Sequence, residues 1–121
     1  MDNRALDRSN IPEGKVFFRK LNGFNFLKPF KGPYSLNDLS KSSIRFEHPV
    51  LNMDDTIVEL KIMVSGSQIL KIKGKIAGPL DIKEYNRNHT VVHFLPFGSR
   101  KVYNTYRIKK KLDALLNEFS N

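Results

Sequence analysis

Arg4 and Arg8 stand four apart in Arg4-Ala5-Leu6-Asp7-Arg8, and thirty residues further on the chain reads Asp38-Leu39-Ser40-Lys41-Ser42-Ser43, just before the alternating Ile44-Arg45-Phe46. An arginine pair at i, i+4 can set two guanidinium forks on one side of a short arm. Each fork suits bidentate contact with phosphate oxygens or with the O6/N7 edge of guanine. In extended chain Asp38 and Ser40 leave the same strand face, where they offer an acceptor and a donor to the opposite edge of a purine. Without a ligand, the same residues are solvated arm charges and turn formers of the Asx or ST kind.

The order and spacing of these motifs resemble the PilZ domain family, whose hallmarks are R-x-x-x-R and, some thirty residues on, [D/N]-x-S-x-x-G at the entry to a strand. Arg4 and Arg8 match the first motif, Asp38 and Ser40 the second, and Ser43 stands where the family has glycine. With the β-rich remainder, the resemblance covers nearly the whole chain. It implies a module that binds cyclic di-GMP. By similarity, Arg4 and Arg8 neutralise the dianion and reach guanine O6/N7, Asp38 accepts from the guanine N1–H and amino group, and Ser40 bonds to the base or a phosphate. Ser43, at the family's glycine position, completes the implied set of ligand-binding residues. Glycine at such a turn marks left-handed backbone or close approach, and a serine held left-handed costs roughly 1–2 kcal/mol. The resemblance further implies no cofactor, and a shape change read by a separate effector protein in bacterial motility, polysaccharide, pilus or virulence control.

Composition bounds the remaining possibilities. A chain of 121 residues is one domain. Hydrophobic content of 40%, with nine Phe and four Tyr, argues for a folded core despite the charge. The absence of cysteine removes disulfides, thiolate zinc sites and cysteine nucleophiles. No apolar run approaches the roughly 18–20 residues of a membrane span, and Asp2 and Asp7 occupy the place of a signal core, so no stable membrane insertion and a cytoplasmic location are expected. A net charge of +9 predicts attraction to polyanions, an acidic effector protein among them. The densest basic run is Arg100 to Lys111, opposed by Asp113 and Glu118.

Other chemistries find less support. His48, His89 and His93 are isolated, and four residues along a strand separate His89 from His93 by roughly 13 Å, too far for one metal. Asp54-Asp55 reads as a turn, with no calcium loop after it. There is no G-x-S-x-G, H-E-x-x-H or P-loop, so no enzyme is expected. Nucleic acid is the least favoured partner, because no RNP-like run is present and most phenylalanines fall where a core would claim them. A PilZ-fold adaptor without nucleotide binding ranks between, and a monomer or weak dimer is expected.

The elements that must carry these residues follow from periodicity. Residues 1–14 form an arm ending in Ile11-Pro12-Glu13-Gly14, and the domain proper runs over 15–121. Strands are expected at Val16–Leu21 and Phe24–Leu27 around an Asn22-Gly23 hairpin, with Pro29, Gly32 and Pro33 breaking the pattern. Ser35–Leu39 leads through the polar turn at Ser40–Ser43 into a strand at Ile44–Phe46, and further strands cover Val58–Val64, Leu70–Ile76 with a bulge at Gly74, and Thr90–Leu95 stopped by Pro96. Lys71, Lys73 and Lys75 stripe the outside. From about residue 100 the period becomes helical, with Ile108, Leu112, Leu115, Leu116 and Phe119 on one side. The fold class is mainly β: a small six-stranded Greek-key barrel, as the PilZ resemblance also implies, with a C-terminal helix packed on it.

Overall fold

Strict alternation sets the framework. Val58, Leu60, Ile62 and Val64 are at most 1% exposed, while Glu59, Lys61 and Met63 between them are only partly covered. A computed structural model describes residues 14–21, 29–48, 56–64, 68–77 and 89–119 of the chain. It contains β1 (Lys15–Lys20), β2 (Lys31–Leu39), β3 (Ser43–Glu47), β4 (Ile57–Val64), β5 (Gln68–Ile76), β6 (His89–Phe94) and α1 (Tyr106–Phe119). The arm carrying Arg4 and Arg8, and the expected Phe24–Leu27 strand with its hairpin, lie outside the described residues.

The six strands close into a barrel in the order β1-β2-β3-β6-β5-β4, and every pairing is antiparallel. Two three-strand meanders are joined by the connection from β3 to β4, which returns the chain to the far side of β1. That is a Greek key. β2, β3 and β6 form one half of the wall and β1, β4 and β5 the other. Inward side chains, among them Val16, Leu39, Ile44, Phe46, Leu60, Ile62, Ile72 and Val92, fill the centre. Leu112, Leu115 and Leu116 of α1 close it, with Ile108 and Phe119 packed at their margins. No helix among the described residues is long and apolar enough to cross a membrane.

Three local readings are corrected. Gly32 and Pro33 do not interrupt β2; they sit inside it, where the β1 register jumps between Val16 and Phe18. Gly32 takes a φ of 137°, and a Cβ there would lie 2.7 Å from the Val16 carbonyl oxygen. A bulge of this kind tolerates a residue without an N–H, and glycine at its tight point. Gly74, by contrast, marks no bulge against β4, because that ladder runs unbroken from Ile57↔Lys75 to Val64↔Gln68. It faces inward, where a Cβ would meet Val92 Cγ1 at 2.5 Å and the His93 carbonyl oxygen at 2.7 Å, so its missing side chain is what lets β6 close on β5.

The helix starts at Tyr106 rather than near residue 100, because residues 97–104 do another job. β6 ends before it can cover the rest of β5, and Asn104 completes the wall with its side chain. This fully buried amide accepts from the Lys73 N–H (2.8 Å) and donates to the Lys73 and Leu95 carbonyls (2.9 and 3.1 Å). Thr105 follows as the N-cap, its Oγ1 accepting from the Ile108 N–H at 3.3 Å. Asn104→Ala strands buried donors and acceptors of β5 and β6. We expect it to cost about 3 kcal/mol, read as a Tm lower by about 10 °C in thermal denaturation followed by circular dichroism. A change within about 2 °C would show that the amide does not hold the wall.

Candidate functional site

The turn between β2 and β3 is built around one hydroxyl. Ser40 Oγ accepts from the backbone N–H groups of Ser42 (3.2 Å) and Ser43 (3.1 Å), and lies within donating distance of the Ser43 carbonyl (3.3 Å) and the Ser43 hydroxyl (3.2 Å). A hydroxyl has one donor and two acceptor positions, so Ser40 is fully occupied inside the turn. Ser40 N–H closes the hairpin onto the Ser43 carbonyl at 2.9 Å, leaving Lys41 and Ser42 as the exposed tip. Ser40 therefore shapes this turn in the manner of an ST motif. Ser43 lies in the β3 ladder opposite His93, so it opens a strand and does not occupy a left-handed turn position.

Beyond the turn the ladder slips. Leu39 faces Ile44 and Leu36 faces Phe46, both pairs pointing into the core, but between them Asn37 and Asp38 together oppose the single residue Arg45. Two residues against one is a β-bulge, which turns both side chains to the side of their partner. Here that side is the outside of the barrel. Asn37, Asp38 and Arg45 are thus brought together across the ladder, while Ser40 and Ser43, both buried, adjoin them along the chain in the turn that follows. Arg4 and Arg8 lie outside the described residues.

The polar groups of this face are not all satisfied. Asn37 Oδ1 and Arg45 Nε are buried and have no hydrogen-bond partner, and the same is true of His89 Nδ1, one row further along where β6 pairs Glu47. A buried polar atom without a partner costs about 1–3 kcal/mol. Such atoms are rare in folded proteins, and each asks for an explanation. Here an acceptor (Asn37) and a guanidinium donor (Arg45) stand on either side of the bulge, a set complementary to a ligand offering both an N–H and an anionic or carbonyl oxygen.

The opposite end of the hairpin is stiff. His48 packs edge-on against Tyr34 (4.6 Å between ring centroids), Phe18 (5.3 Å) and Phe46 (6.4 Å), and its carbonyl accepts from Thr90 Oγ1 at 3.2 Å. His48 thus belongs to an aromatic cluster. Among the described residues no group of three His, Asp or Glu side chains could hold a metal ion.

No family model, no curated protein and no solved structure matches this chain. The geometry must therefore speak for itself. Sequence reasoning marked Asp38, Ser40 and Ser43 but passed over Asn37 and Arg45. Arg45 was visible as the outward residue of Ile44-Arg45-Phe46; the bulge that sets Asn37 beside it leaves no trace in a period-two pattern.

Substitutions at Ser40 and Arg45 should differ in their effect on stability. Ser40→Ala leaves two N–H groups of the turn without their acceptor and should cost about 1–3 kcal/mol in urea denaturation, whereas Ser40→Thr retains most of it. Arg45→Met replaces an unsatisfied donor by an apolar side chain of similar length, so stability should be unchanged or higher. A large loss on Arg45→Met would mean that Arg45 serves the fold.

Proposed function

We propose that this chain is a PilZ-like receptor module for cyclic di-GMP, without catalytic activity, acting in the cytoplasm on a separate effector protein. The observation that carries the reading is the outward bulge at Asn37–Asp38, opposite Arg45, with buried hydrogen-bonding capacity left unfilled at the motif residue Asp38's two neighbours, Asn37 and Arg45. Support also comes from the closed Greek-key barrel with its terminal helix, the fold that the resemblance implies. In this reading Arg4 and Arg8 bring positive charge to the ligand, Asp38 accepts from the guanine N1–H and amino group, and Arg45 donates to guanine O6/N7 or a phosphate. Asn37 accepts a further donor. Ser40 and Ser43 hold the turn that sets these groups in register, and closing of the arm over the ligand supplies the signal.

One observation favours a second reading. The Ser40 hydroxyl is wholly engaged within the turn, which suits an adaptor that keeps the fold and binds a partner without nucleotide.

Calorimetric titration with cyclic di-GMP at about 0.15 M salt, where surface charge is screened beyond roughly 8 Å, separates the two. Saturable binding at micromolar strength or better is expected, not reproduced by GTP. Arg8→Ala should weaken it by about 5- to 150-fold, and Arg45→Met by a similar factor while leaving stability intact. No heat from a folded protein would overturn the receptor reading in favour of the adaptor.

A further inference from the structure

The other half of the barrel wall has a different character. Along its outside the ladders place Phe17 beside Lys61 and Lys71, Arg19 beside Glu59 and Lys73, and Lys15 beside Met63, with Lys75 at the end of the β5 row. Six cations (Lys15, Arg19, Lys61, Lys71, Lys73, Lys75) face one carboxylate, Glu59, a net of +5 out of +9 for the whole chain. That carboxylate is already neutralised, since Arg19 donates to Glu59 Oε1 from Nε (3.0 Å) and Nη2 (2.7 Å). None of the five lysines makes an ion pair with another described residue. Lys61 and Lys71 sit directly opposite one another, an arrangement that works against the sheet.

Two phenylalanines lie among these charges. Phe17 points outward between the buried Val16 and Phe18, and Phe30 lies over the same face. The Arg19 guanidinium stands 4.4 Å from the Phe30 ring centre, and Lys61 Nζ stands 4.7 Å from Phe17 and 5.0 Å from Phe30. These contacts fix the cations in place before any partner arrives. The outward lysines of β5 repeat about every 6.7 Å along a straight strand, a linear row of point charges.

We propose that the outer face of β1, β4 and β5 binds single-stranded nucleic acid without sequence preference. The lysine row tracks the phosphates, and the Arg19–Phe30 stack offers bases a flat platform. A linear row of lysines beside aromatic rings suits a linear polyanion that carries a ring system with every charge, which a lipid surface does not offer and an acidic peptide does not offer at each repeat. Phe18 and Phe46 belong to the core as expected of most phenylalanines, but Phe17 and Phe30 are outside it. The site lies on the half of the wall away from the Asn37–Arg45 bulge, and it stands whether or not cyclic di-GMP binds there.

The test is fluorescence anisotropy with a labelled oligothymidylate of about 12 nucleotides, within the span of small barrels of this kind. Four phosphate contacts predict affinity falling by about 50-fold between roughly 50 and 200 mM salt. Lys71→Gln/Lys75→Gln, both exposed positions, should weaken binding by at least about tenfold and flatten the salt dependence by about half, whereas Lys109→Gln/Lys110→Gln on α1, an equal loss of charge, should change it less than about twofold. Equal losses from both pairs would overturn the proposal, leaving diffuse attraction. So would equal or tighter binding of polyglutamate, or of vesicles rich in anionic lipid, under the same conditions.

Discussion

Closure of the sheet is the constraint on which everything else rests. Six short strands bury their backbone polar groups only if every strand finds two neighbours, and the β1–β4 and β3–β6 ladders provide the pairings that a simple meander would leave open. Closure demands strong coiling, and the chain supplies it at particular points: the bulge at Gly32–Pro33, the inward glycine at Gly74, and the slip at Asn37–Asp38. Where β6 is too short to finish the wall, the Asn104 amide stands in for a strand. The helix then covers the open end. A device needed for curvature has thereby become a device for presenting side chains.

That double use explains why the polar face of the β2–β3 hairpin carries apparent waste. A bulge with two outward polar residues opposite an arginine does nothing for the core, and it leaves Asn37 Oδ1 and Arg45 Nε buried without partners. Ser40, by contrast, is satisfied to capacity and gives the turn a fixed shape. The hairpin thus pairs a hydrogen-bonded turn with a bulge where Asn37 Oδ1 and Arg45 Nε lack partners, and the His48 aromatic cluster packs at its far end. Rigid support beneath unfilled hydrogen-bonding groups is the arrangement a preorganised ligand site requires. The two halves of the wall divide the surface between a polar bulge and a cationic ladder.

Much of the fold was legible from alternation alone. The inward sets of β4 and β5, the outward lysines of β5 and the apolar stripe of α1 follow directly from periods of two and 3.6, because burial on one face leaves no other pattern open. What alternation hides is any change of register. Gly32 and Pro33 looked like a break because both discourage a strand, yet a bulge accommodates them; Gly74 looked like a bulge, yet it answers to the close approach of β6. The start of α1 was misplaced because the residues before it are ordered by a side-chain anchor, Asn104, with no helical period of its own. Of the site, the motif residues Asp38, Ser40 and Ser43 could be picked out by type and spacing. Arg45 stood out only as an outward strand residue and Asn37 not at all, since their importance comes from a pairing across strands. Phe17 and Phe30 were hidden for a related reason: an aromatic residue on a strand, like Phe17, or just before one, like Phe30, says nothing by itself about which way it faces.

The central claim is that the outer face of the β2–β3 hairpin receives the nucleotide. Two-dimensional NMR of the labelled protein during titration with cyclic di-GMP addresses it residue by residue, because amide shifts report local contact without altering a side chain. The account predicts saturable shifts concentrated at Asn37–Arg45 and at residues 4–8, with Lys71, Lys73 and Lys75 unmoved. Shifts confined to the β1, β4 and β5 face, or a spectrum unchanged at saturating nucleotide, would contradict it.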